Sequence, residues 1–359
     1  MKFNLLTLGA LVLFSACSKD DENAETYTVP TTYDFENVSY GGQEQRIGQL
    51  AELTSYMKTA NVANTALDVD RLKAMYANDP TLANWNGTYE DSKQIKSKTF
   101  EQVQGTFETL LEDMAATSQP GSLGGVVSSA NGEKNYLLNE NGVEYTQVIS
   151  KGLMGALLYY QAVEVYLGDG KMGSDNVTVT EGEGTEMEHA WDEAFGYFGV
   201  PKTFPADTEP LYFWGDYCHD RDALMGTDKA VMDAFLKGRA AISNNDIPTR
   251  DEAIEEAREA WEKVIVGTAL HYLNKGISDI DDTALKGHQL SEAAGFIYSL
   301  QFNPSKKISN TQINNLLVKI GGTELLPDLN FNNVTAASVE EARNDLADYY
   351  DLNDLKEQL

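Results

Sequence analysis

The chain has 359 residues, 42% of them apolar and 23% charged, which is long enough for one large or two ordinary cores and excludes wholesale disorder and a polytopic membrane protein. Its 56 acidic residues outnumber its 27 basic ones, for a formal charge of −29. A surface of that sign repels phosphate backbones and argues against a nucleic-acid partner.

At the amino terminus Lys2 precedes an apolar run from Phe3 to Phe14, followed by Ser15-Ala16-Cys17. The run is too short for a stable bilayer span, and with small residues before a cysteine it reads as a lipoprotein signal peptide of residues 1–16. Cys17 is then the lipidated first residue of the mature chain, and Cys218, the other cysteine, has no partner in its own chain. An ordinary cleaved signal with an incidental cysteine is the alternative. Residues 17–32 are small and polar without hydrophobic periodicity, a flexible tether to a body of residues 33–359. Within the tether, Ser18-Lys19-Asp20-Asp21-Glu22 resembles the export signal that sends Bacteroidota lipoproteins to the cell surface. The expected location is the outer membrane.

The body reads as helices. Ile47, Leu50, Leu53 and Met57 form one apolar stripe, and Val103, Phe107, Leu110, Leu111 and Met114 a second. Between Asp169 and Glu188 lies an acidic, Gly-containing loop without the ligand spacing of an EF-hand, so it reads as solvated. Its alternating stretch Val177-Thr178-Val179-Thr180 has no obvious strand partner. The aromatic run from Tyr212 to His219 either packs or lines a pocket. Thr249 with Glu252, and Ser309 with Gln312, have capping-box spacing. The segment Thr249–Asn274 carries the apolar centre Val264–Leu270 and is expected to cross the core, with His271 as a third imidazole that could meet a site. The fold class is mostly α.

Two segments recur in the same order. Gly155-Ala156-Leu157-Leu158-Tyr159-Tyr160 is echoed by Gly267-Thr268-Ala269-Leu270-His271-Tyr272, and His189–Tyr197 by His288–Phe296. Such short matches of helical text also arise by chance. Taken as a repeat of about residues 42–200 and 228–350, they imply two related helical bundles packed about a pseudo-twofold axis.

On a helix each residue advances about 100°, so His189, Asp192 and Glu193 share a face, with Gly196 on it and Trp191, Phe195 and Phe198 opposite. His288, Glu292 and Gly295 repeat the pattern. A glycine inside a helix costs about 1 kcal/mol against alanine, which points to another element approaching there and turns the polar face inward. A buried imidazole beside carboxylates is stabilised in one of two ways, as a hydrogen-bonded network or as part of a metal site. His189, Asp192, Glu193, His288 and Glu292 are therefore the candidate metal ligands, with Fe or Zn as the metal. No catalytic motif of the His-Glu-x-x-His or Gly-x-Ser-x-Gly kind is present.

The mature chain resembles a family of Bacteroidota lipoproteins known as domain of unknown function 4856, through Tyr27–Tyr33, His189–Tyr197 and Ser291–Leu300. More distantly it is similar to the imelysin group, two-bundle envelope proteins associated with iron acquisition and once classed as peptidases. By their Gly-x-His-x-x-Glu hallmark His189 is the motif histidine and Asp192 stands at the glutamate position, with Met187 in place of the glycine. The resemblance implies an imelysin-like helical body in a surface lipoprotein that binds a ligand or metal and serves iron or other metal uptake. The competing expectations are a metal-dependent hydrolase and a purely structural interaction module for an outer-membrane transporter.

Overall fold

The computed structural model describes residues 27–359. The signal peptide, Cys17 and residues 18–26 of the tether lie outside the described residues. Helices dominate, as expected, and none is long and apolar enough to cross a membrane among the described residues.

Helix α1 (Gly41–Lys58) and α2 (Val69–Ala77) lead to α3 (Gln104–Thr117). The two apolar stripes do what their spacing requires: Ile47, Leu50, Leu53 and Met57 are buried on α1, and Phe107, Leu110, Leu111 and Met114 on α3. Next comes a hairpin that the sequence reading omitted, β1 (Gly125–Ser128) paired antiparallel with β2 (Asn135–Leu138). Its signal is Asn131-Gly132 between Val126-Val127 and Tyr136-Leu137, with Gly132 at positive φ.

Helix α4 (Tyr145–Leu153) continues as a widened, π-helical stretch through Met154–Tyr159 and Gln161–Tyr166. Widening shifts the ladder from i+4 to i+5 and changes which carbonyls are satisfied internally. Groups from elsewhere meet several of them. Trp214 Nε1 donates to the Met154 carbonyl (3.0 Å), the Phe100 amide to Ala156 (2.8 Å), and the Arg258 guanidinium to Val163 (3.0 and 2.9 Å).

After the short α5 (Asp169–Met172), α6 (Glu186–Gly196) starts at a capping box between Thr185 and Glu188. Helices α7 (Trp214–Met225) and α8 (Thr227–Ser243) precede α9 (Ile247–Ser278). At 32 residues and 1.5 Å per residue, α9 is about 48 Å long, and Val264–Leu270 is buried at its centre as its composition demands. Its start differs from the expected one: Asp246, not Thr249, is the cap, accepting the Thr249 amide at 3.2 Å. Pro248 in the first turn explains the earlier start, since its missing N–H is no loss there.

Helix α10 (Thr283–Ser299) packs along α9 and α4, and α11 (Asn310–Gly321) and α12 (Ala336–Tyr349) complete the body. The Ser309 and Gln312 capping box is present at the start of α11. Between the helices Phe198, Trp261, Tyr159 and Trp214 form an aromatic centre, with Phe198 edge-on to Trp261 at 4.7 Å. Opposite the polar face of α6, Trp191 is seated on Gly238 of α8, where a Cβ would lie 2.0 Å from the indole. Its Nε1 donates to the Phe235 carbonyl at 3.0 Å.

Candidate functional site

The capping box at Thr185 sets the phase of α6, so that Trp191 and Phe195 enter the core and His189, Asp192 and Glu193 lie on the other side. Gly196 is where α1 approaches: a Cβ there would sit 2.6 Å from the Tyr40 side chain. The expected polar face forms, but its two acids diverge. Asp192 and Glu193 are about 100° apart around the helix, enough to send one into the protein and leave the other near its edge.

Asp192 is fully buried and accepts from Tyr33 Oη at 2.7 Å and Arg239 Nε at 2.9 Å. Arg239 also binds Glu188 (2.5 Å) and the Glu36 carbonyl (3.2 Å), which fixes the entering segment against α6 and α8. Burial raises the Asp192 carboxyl to about 6, with Arg239 and Tyr33 opposing. At neutral pH it is therefore a carboxylate meeting a guanidinium.

Glu193 takes the other direction. Its Oε1 accepts from the buried Gln43 Nε2 at 2.8 Å and from Tyr166 Oη at 3.2 Å, and its Oε2 lies 3.8 Å from His189 Nε2. The pair is partly open to solvent, His189 by 31% and Glu193 by 19%. Its hydrogen-bonding capacity is incompletely used, because His189 Nδ1 and Gln43 Oε1 have no partner among the described residues.

The second helix is arranged differently. His288 Nδ1 lies 2.6 Å from Glu144 Oε2 and its Nε2 lies 3.5 Å from Glu292 Oε1, so both ring nitrogens face carboxylates. Tyr136 of β2 stacks on the imidazole at 4.3 Å, and Ser291 Oγ accepts the Glu144 amide at 2.9 Å. Glu292 continues to Lys151 (3.9 Å) and Tyr217 Oη (3.4 Å). Burial pushes the Lys151 ammonium down from the ordinary lysine value, with Glu292 opposing. At Gly295 a Cβ would lie 2.4 Å from Lys151 Cβ and 3.2 Å from the Gly152 amide nitrogen, so α4 crosses α10 against that glycine.

A metal site needs donors aimed at one centre. His288 turns its nitrogens to carboxylates on different sides of the ring, Asp192 is engaged by Arg239, and His189 has, among the described residues, the carboxylate of Glu193 alone at ion-pair distance. Among the described residues no three His, Cys, Asp or Glu side chains are grouped to hold a metal ion. His189 and Glu193 together supply two donors, short of the three or four protein ligands of a resident Zn²⁺. The third imidazole, His271, lies elsewhere: its ring is edge-on to Tyr272 at 5.2 Å, and burial with Arg221 and Lys275 lowers it to about 4.

Two clefts stand out, and the second had no signal in the sequence. One of about 370 Å³ lies between Tyr40, Ile47, Gly196, Pro201 and Tyr212, so the aromatic run both packs, through Trp214, and lines a pocket, through Tyr212. Phe213, the residue after Tyr212, has φ 47°, a strained value for an aromatic residue. The other, of about 550 Å³, runs between α9 and the carboxyl-terminal arm over Glu262. Glu262 is buried and bound by Asn303 Nδ2 (2.5 Å), Tyr350 Oη (2.6 Å) and the Lys307 amide (2.9 Å), which tie that arm to α9. One acid in an otherwise ordinary Glu-rich helix gave no sequence signal.

Fold and geometry thus define a class, a mostly helical protein with two histidine-acid helices, one closed by buried partners and one partly open. The family model described as Domain of unknown function (DUF4856) matches residues 30–353, and the chain belongs to that family. No curated protein and no solved structure matches it.

Proposed function

We propose that the protein is a lipid-anchored, non-enzymatic binding protein of the outer membrane, attached through Cys17 at the cell surface. It takes up a ligand at the open face of α6 and serves the uptake of iron or another metal with an outer-membrane transporter. The observation that supports this reading is the partly exposed His189–Glu193 pair with unmet hydrogen-bonding capacity at His189 Nδ1 and Gln43 Oε1. Polar atoms left so are tolerated where a ligand or water completes them. For a metal, His189 and Glu193 are the two donors at this face among the described residues, and the remaining ligands come with the carried molecule or from water. The matching spacing of His288, Glu292 and Gly295 supports two related halves.

Calorimetric titration of the purified protein with Fe and Zn, alone and with chelators, tests the reading. Binding that is lost in His189→Ala supports it, and binding unchanged in that variant removes the site.

A second reading applies to the other half. His288 holds Glu144 and Glu292 across α10 and α4, which favours a structural role there.

A further inference from the structure

In a chain of net charge −29, four cations gather beside the open face of α6. Lys98 and Lys171 place Nζ 5.7 and 5.9 Å from the centre of the Tyr166 ring, whose hydroxyl donates to Glu193. Arg46 Nη1 and Lys93 Nζ each lie 3.4 Å from the point that a Cβ on Gly42 would occupy, next to Gln43. None of the four has a carboxylate at ion-pair distance among the described residues.

Arg46 is buried, yet its guanidinium is held by two neutral acceptors, the Gln94 and Gly42 carbonyls, each at 3.1 Å. Its charge is therefore solvated but not neutralised. Lys98 is partly buried, and its ammonium is pushed down by burial first and then by Arg46, with Lys171 and Lys93 adding to it and Glu193 opposing. Crowding like charges costs free energy, and a protein with 56 acidic residues has ample means to relieve it from its own chain. A bound external anion would relieve it.

We propose that Arg46, Lys93, Lys98 and Lys171 form a site for a small multivalent oxyanion bearing carboxylate or phosphate groups, with His189 and Glu193 at its edge. The inference rests on the reading of the α6 face as the binding face and names the class of its ligand. Arg46, fixed by carbonyls, supplies a positioned fork, and the three lysines supply adjustable charges around it. The four cations outweigh the one neighbouring carboxylate of Glu193, and the net positive charge that remains favours a ligand of higher negative charge over a simple monoanion.

The test is calorimetric titration of the purified protein, without metal and at low salt, using inorganic phosphate and citrate as separate probes. One-to-one binding of at least one probe is expected, and which one binds identifies the group. Lys98→Gln is expected to weaken it about tenfold, the loss of one charged hydrogen bond. The exposed Lys171→Gln is expected to weaken it about threefold, and added salt weakens it further. Lys229→Gln, paired with Asp233 on α8, is the control and leaves binding unchanged. Unaltered thermal melting certifies each variant as folded. No binding of either probe, or an equal loss in Lys229→Gln, overturns the inference. Metal binding that needs His189, in a protein that binds neither anion, overturns this inference and leaves the proposed function standing; anion binding that needs Lys98, with no metal response, does the reverse.

Discussion

The helices bearing His189 and His288 share their spacing and differ in what faces them. Across from α6 stands Gln43, whose amide donates to Glu193 and leaves the imidazole to its own i+4 acid. Across from α10 stands Glu144, fully buried, which takes His288 Nδ1 and leaves Glu292 for Nε2. An amide in the facing position keeps one site open, whereas a buried carboxylate closes the other. Similar helices thus acquire different roles from the element packed on them, which is why the site cannot be read from the helix alone.

The comparison can be broken first at Arg239. Replacing it with alanine strands Asp192 and Glu188 without their cation, and a loss of about 3–5 kcal/mol in urea unfolding is expected; a loss below 1 kcal/mol would show that Asp192 does not depend on that pair. His288→Ala comes next, with about 2 kcal/mol expected from the stranded Glu144. His189→Ala, on the open side, is expected to stay within about 0.5 kcal/mol, and equal costs for the two histidines would erase the distinction drawn here.

A finer probe is pH. The folded protein holds the Asp192 proton more tightly than the unfolded chain, since its carboxyl is raised to about 6. Its contribution therefore declines as pH rises from about 4 to about 6 and is level above that. Wild type should lose stability relative to Asp192→Asn across that window, and parallel curves would contradict the assignment.

Much of the fold was legible because apolar periodicity reports burial directly. The stripes of α1 and α3, the central run of α9 and the aromatic side of α6 all lie where a 3.6-residue period places them. The hairpin was missed because its strands are four residues long and their burial grades from exposed at the turn to more buried at the far end instead of alternating, which leaves no period-2 pattern to see. Thr249 gave way to Asp246 because both satisfy cap chemistry and Pro248 decides between them. At the site, helical phase grouped His189 with both acids. The partners that separate them, Arg239, Tyr33 and Gln43, come from parts of the chain 47, 159 and 150 residues away, and no local pattern encodes such pairings.

The most direct measurement of an open first site and a closed second one is residue-resolved labelling of the native protein with diethyl pyrocarbonate, read by mass spectrometry. His189 should be carbethoxylated and His288, with both nitrogens engaged and Tyr136 stacked on its ring, should be spared until the protein unfolds. Labelling of His288 at the rate of His189, or protection of both, would contradict the account.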